Sequence, residues 1–142
     1  MNNKSNLFYN NLVILSRNSL FYNKINLPDT FETRIYLIFI HFSILLISHK
    51  IKFKKRFSQN IYDDVFKNIE NNIRELGYGD VAVNKKMKIF NKIFYDILIK
   101  IETAKNDESF NINKKTLEKY FHNKNNDDKI DLLLEYFNNY RN

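Results

Sequence analysis

Apolar residues recur at steps of three and four along nearly the whole chain, and no stretch alternates apolar and polar residues for long. This pattern predicts an all-α protein: a single compact helical domain over residues 1–142, about six helices, no sheet. Ser5 can cap a first helix on which Leu7, Phe8, Leu12, Leu15 and then Ser19 or Leu20 share a face, ending near Lys24 and before Pro28. Asp29-Thr30-Phe31-Glu32 reads as a capping signal, with the Asp29 carboxylate accepting from the amide near Glu32 and Glu32 reaching back. The helix it opens, from Thr30 to about Ser48, is apolar nearly all round, as a central helix should be. Ser58 can cap a third helix, with Ile61, Val65, Ile69 and Ile73 at steps of four and Gly77 closing it after Leu76. A tight bend over Tyr78–Val83 leads to a fourth helix, about Asn84 to Ala104, with Met87, Phe90, Phe94, Ile97 and Ile101 on one face. Lys105–Asn111 reads as polar loop. Two short helices finish the chain, about Lys114–His122 and Asp127–Tyr140, the last with Ile130, Leu133, Leu134 and Phe137 inward.

Between the second and third helices, cations alternate with apolar residues. Lys50, Lys52, Lys54, Lys55 and Arg56 are set around Ile51, Phe53 and Phe57. The segment reads as a connector; its plain role is a solvated loop, its functional one a surface for anionic lipid or RNA. The strongest apolar run, Ile35–Ile47, is 13 residues long. That is short of the roughly 20 needed to span a bilayer, and Glu32 and Arg34 stand at its start, so a buried core helix is expected. Met1–Lys4 carries no long apolar region and no small-residue cleavage site, and does not read as a secretory signal.

Composition sharpens this picture in three ways. The chain has two glycines and one proline, all within two short segments, Leu27–Arg34 and Ile73–Val83, which are therefore the places where backbone shape is fixed. The formal net charge of +7 favours anionic partners, although an excess of Asn, Lys, Ile and Phe is also what an AT-biased genome produces. The absence of cysteine excludes disulfides and thiolate metal sites. His41, His49 and His122 have no helix-spaced partner ligand, and His41 on an apolar helix reads as a satisfied core or interface histidine. Gly77-Tyr78-Gly79 lacks the third glycine and the lysine of a phosphate loop. No serine sits in a nucleophile motif, and Asp63 and Asp64, being adjacent, point different ways on a helix. The residues assemble no catalytic set, so neither an enzyme nor a small-molecule substrate is expected, and no cofactor or metal. Around the second glycine segment, Arg74, Glu75 and Asp80 bracket the bend, and Lys85, Lys86, Lys88 and Lys92 load one end of the next helix. The plain reading is a salt-bridged corner. The functional one is a recognition surface held rigid by Gly77 and Gly79, with Arg74 or Asp80 tying the bend to another helix.

The two segments resemble the ubiquinol–cytochrome c chaperone family, assembly factors for cytochrome b of respiratory complex III. The family's first block matches Pro28-Asp29-Thr30, Arg34 and Ile40-His41, preceded by Phe21-Tyr22. Its second block matches Asp63, Phe66, Arg74-Glu75-Leu76-Gly77-Tyr78-Gly79-Asp80, Val83, Lys85-Lys86-Met87-Lys88 and Phe94-Tyr95, in the same order and spacing. The match covers about Leu20 to Leu98. Asn84 replaces a usual proline, Asp96-Ile97 a frequent Gly-Arg pair, and Asn68 a frequent acidic residue. The resemblance implies a non-enzymatic helper that binds newly synthesised cytochrome b and acts with a small second chaperone subunit near the ribosome. It implies a place at the inner membrane: the cytoplasmic side in a bacterium, the matrix side in a mitochondrion. Client or partner contacts would then fall on Asp29, Thr30, Arg34, His41, Asp63, Arg74, Glu75, Gly77, Gly79, Asp80, Lys85, Lys86, Lys88 and Tyr95. Lys50, Lys52, Lys54, Lys55 and Arg56 would supply a weak peripheral contact with anionic membrane. The competing expectation, a basic helical RNA- or ribosome-binding module, rests on charge alone.

Overall fold

The computed structural model describes residues 3–55, 58–103, 112–121 and 127–140, with side chains at 7–55, 58–101, 112–121 and 128–139. Six α-helices follow one another: α1 Asn3–Ser16, α2 Phe31–Phe53, α3 Gln59–Glu75, α4 Asp80–Thr103, α5 Lys114–Phe121 and α6 Asp127–Tyr140. A π turn, Leu20–Lys24, lies between α1 and α2, and no strand occurs among the described residues. The fold is all-α, as the periodicity predicts. Arg56, Phe57, the expected loop Lys105–Asn111 and His122 lie outside the described residues.

The helix that is apolar all round is the axis. Every residue from Leu37 to Ile44 is buried, because α1 and α4 both pack on α2. α3 closes against α1 and α4, and α5 pairs with α6. Phe39, Phe42 and Phe94 form the centre: Phe94 meets Phe39 edge-on at 5.3 Å and stacks on Phe42 at 5.4 Å, while Phe66 of α3 stacks on Phe39 at 5.7 Å. Truncating one of these fully buried rings to alanine costs about 3–5 kcal/mol. α6 is anchored by Phe137, whose ring lies 5.2 Å from His41 and 6.2 Å from Phe21.

Five boundaries differ from expectation. α1 begins at Asn3, so Ser5 lies within the helix rather than capping it. The first helix stops at Ser16, not near Lys24. Ser16 Oγ donates to the Leu12 carbonyl (2.8 Å) and Tyr22 Oη to the Ser16 carbonyl (3.0 Å), so side chains satisfy the helix end and the π turn can swing Phe21 and Ile25 into the core. The cap of α2 is Thr30, whose Oγ1 accepts from Thr33 N at 3.2 Å; Asp29 instead pairs with Arg34. α2 continues five residues past Ser48 and closes on Lys54 in the left-handed region (φ 57°). The expected connector is therefore partly helix: Lys50 and Lys52 form the last turn of α2, where cations complement the helix dipole. At 23 residues α2 is long and apolar enough to cross a membrane, so the length argument against a span fails, but 61% of its most apolar window is buried by the other helices. Finally, α4 begins at Asp80, with Val83 N donating to the Gly79 carbonyl at 2.9 Å, so the bend spans only Gly77–Gly79.

Candidate functional site

The two proline- and glycine-bearing segments meet at one end of the molecule. Phe31, Arg34, Ile35 and Ile38 from the start of α2 face Asn72, Glu75 and Leu76 from the end of α3 across a groove of about 380 Å³. α1 closes its third side with Tyr9, Val13, Ser16 and Arg17. Its lining mixes the apolar Val13, Phe31, Ile35, Ile38 and Leu76 with the polar Tyr9, Ser16, Arg17, Arg34, Asn72 and Glu75. Tyr9 Oη accepts from Asn72 Nδ2 at 2.6 Å and bolts α1 to α3 across the floor. Burial pushes the Tyr9 phenol up to about 12, the Asn72 bond opposing it, so this bolt stays protonated.

Charge around the groove is organised in pairs. Arg34 Nε and Nη2 both donate to Asp29 Oδ1, at 3.0 and 2.7 Å, which fixes the Arg34 side chain along the groove wall. Arg74 pairs with Asp80 across the bend and lies 3.8 Å from Glu70. The end of α3 is thus tied to the start of α4, as the charges flanking the glycines suggest. These exposed pairs contribute geometry more than stability. Gly77 has φ 99°, a conformation costly for a residue with a side chain. Gly79 has no positive φ, and a Cβ at either glycine would meet nothing within 4 Å. Only Gly77 is therefore demanded by the backbone. Beside the bend, Leu76, Tyr78 and Val81 are exposed, and Lys86 Nζ sits 4.6 Å above the Tyr78 ring.

Asp29, Thr30, Arg34, Arg74, Glu75, Gly77, Gly79 and Asp80 are thus gathered at this end. Asp63 is not: it lies about 16 Å along α3 from Arg74, where Gln59 Nε2 donates to it at 3.0 Å. Lys85, Lys88 and Tyr95 are exposed along α4. His41 is fully buried and cannot offer a surface contact. Its Nδ1 donates to the Leu37 carbonyl (2.7 Å), which leaves Nε2 to accept from Tyr136 Oη (2.9 Å). Lys50, Lys52, Lys54 and Lys55 sit at the far end of α2, starting about 18 Å along the helix from Ile38, the nearest groove residue. Among the described residues, no three His, Asp or Glu side chains converge as metal ligands would.

Sequence reasoning missed Tyr9, Arg17 and Asn72. Only a contact between distant helices makes them part of the groove, and no local spacing signals it. It also missed Asp96, which accepts from Tyr120, from Lys119 (3.0 Å) and from Lys100 (3.2 Å), tying α4 to α5. A second cleft of about 390 Å³ lies between the π turn and α6, lined by Leu20, Ile25 and Leu132 among others, and contains no residue of either segment.

A family model described as Ubiquinol-cytochrome C chaperone matches residues 23–142. Comparison with curated proteins and with solved structures finds no match.

Proposed function

The chain belongs to the ubiquinol-cytochrome C chaperone family, and from that premise we propose that it is a non-enzymatic assembly chaperone for newly synthesised cytochrome b in the biogenesis of respiratory complex III. The observation that carries the reading is the convergence of both family segments on one groove, Phe31–Ile38 on one wall and Asn72–Leu76 on the other. The apolar Phe31, Ile35, Ile38 and Leu76 suit the membrane-helix side chains of an unassembled client, and Arg34, Arg17 and Glu75 suit its loop charges. The ion pairs Arg34–Asp29 and Arg74–Asp80 hold this shape before a client arrives, which lowers the ordering cost of binding. Exposed Leu76, Tyr78 and Val81 extend the apolar surface beyond the groove.

The place of action in this proposal is the inner membrane surface, on the cytoplasmic side in a bacterium or the matrix side in a mitochondrion. The end of α2 with Lys50, Lys52, Lys54 and Lys55 makes the weak contact with anionic lipid, and exposed Phe53 inserts shallowly. A small second chaperone subunit and the ribosome are the further partners.

Co-purification from detergent-solubilised membranes tests the proposal. Cytochrome b recovered with the wild-type chain, and reduced when Leu76→Asp is introduced at the groove rim, is the expected result. Ribosomal RNA recovered without cytochrome b would replace the proposal by an RNA-binding module.

A further inference from the structure

The outer face of α4 is a second surface. Val81, Ile89 and Ile99 are 72%, 56% and 55% exposed. On a helix of 100° per residue they share an arc of about 80° with Lys85 and Lys92, and Lys88 widens it to about 100°. The three lysines are exposed, and among the described residues none of them is in a salt bridge. From Val81 to Ile101 the one acidic residue is Asp96, and its carboxylate is already occupied by Lys100, Lys119 and Tyr120. Unpaired positive charge and exposed aliphatic side chains therefore run together from Val81 to Lys92, about 17 Å or three helical turns; Ile99 continues the arc beyond Asp96, where Lys119 and Tyr120 of α5 reach across.

We propose that this face docks an acidic amphipathic helix of a partner protein. The placement of the lysines selects this occupant over a lipid surface. A helix lying on a membrane carries its cations along the borders of the apolar stripe, where their stems can snorkel to the headgroups. Here Lys85 and Lys92 fall between Val81 and Ile89 on the wheel, inside the stripe, and burying Ile89 and Ile99 in acyl chains would drag them in. An opposing helix meets the same pattern without that penalty. Its Leu or Ile residues pack on Val81, Ile89 and Ile99, and Glu or Asp three or four positions away pairs with each lysine. Charge complementarity of this kind sets orientation and association rate. Val81 borders both surfaces, but Ile89, Ile99 and the three lysines line no part of the groove, so the inference does not rest on cytochrome b as the client.

The test uses the full chain and a labelled synthetic amphipathic helix of about 20 residues, Leu on one face and Glu beside it, read by fluorescence anisotropy. The expected result has three parts. Lys85→Glu/Lys88→Glu/Lys92→Glu weakens binding by about tenfold or more and now takes the same peptide with Lys in place of Glu. Val81→Ser/Ile89→Ser/Ile99→Ser, with charge intact, weakens it by a similar factor. Lys52→Glu/Lys54→Glu/Lys55→Glu, with the same change in charge, leaves it within about threefold. Equal losses for the two charge reversals would reduce the effect to net charge and overturn the proposal. So would an α4 reversal that abolishes binding to phosphatidylserine vesicles yet leaves peptide binding intact.

Discussion

Acidification should weaken this fold through His41 well before the carboxylates protonate. The ring is fully buried, and burial lowers its pKa from the ordinary 6.5 to about 4, against the raising effect of the Leu37 carbonyl. Phe21, Tyr136 and Phe137 surround it at 5.2–5.9 Å and offer no negative charge to support an imidazolium. Between pH 6.5 and 4 the unfolded chain binds a proton there and the native one does not. Stability therefore falls as pH falls through that window, by about 1.4 kcal/mol per unit at its steepest and about 3 kcal/mol in all. That is a large share of a typical domain's stability. Urea unfolding followed by helix circular dichroism from pH 7.5 to 5 is the assay. His41→Gln should be less stable at pH 7, because a buried amide must replace two ring hydrogen bonds, but should lose this slope. A wild-type chain with flat stability from pH 6.5 to 5, or an unchanged slope in His41→Gln, would refute burial of a neutral ring.

Two smaller predictions separate residues that look alike in sequence. Gly77→Ala should cost roughly 1–2 kcal/mol through its positive φ, with no steric clash, whereas Gly79→Ala should stay within about 0.5 kcal/mol; thermal unfolding of the two variants decides it. Asp96→Asn should loosen α5 from α4 at a cost on the order of 1 kcal/mol, allowing for solvent screening at the partly exposed pairs. Burial raises the Asp96 carboxyl, but bonds from Tyr120, Lys119 and Lys100 outweigh it and hold it at about 2, so this contribution is present above the ordinary carboxylate value and is lost as pH falls from about 4 to 2. Hydrogen exchange of the α5 amides at pH 5 would show the loosening, and unchanged protection in Asp96→Asn would contradict it.

Much of the helix plan is legible because it depends on local pattern. Steps of four on Ile61, Val65, Ile69 and Ile73 give α3 its buried face, and three of these residues are fully buried in the fold. Phe90, Phe94, Ile97 and Ile101 do the same for α4. Two of the failures share a cause, which is a side-chain bond that local pattern does not encode. Tyr22 reaching back to Ser16 ends α1 early, and Arg34 claims Asp29 from its expected capping role. Lys54 adopts a left-handed closure with no glycine to announce it. The position of Gly77 was readable from Leu76 before it, but the groove was not. Its third wall comes from Tyr9, Val13 and Arg17, which only the packing of α1 on α3 brings near Arg34 and Glu75.

The central claim is that this end of the molecule holds cytochrome b during its assembly. A photo-crosslinking residue placed at Leu76 or Tyr78, both exposed at the groove rim, during synthesis of the respiratory chain tests it most directly, with the same residue at Lys115 on α5 as control. The predicted result is a crosslink from the rim positions to newly made cytochrome b that disappears as complex III matures, and none from the control. Equal crosslinking from all three positions, or rim crosslinks to RNA and none to cytochrome b, would contradict it.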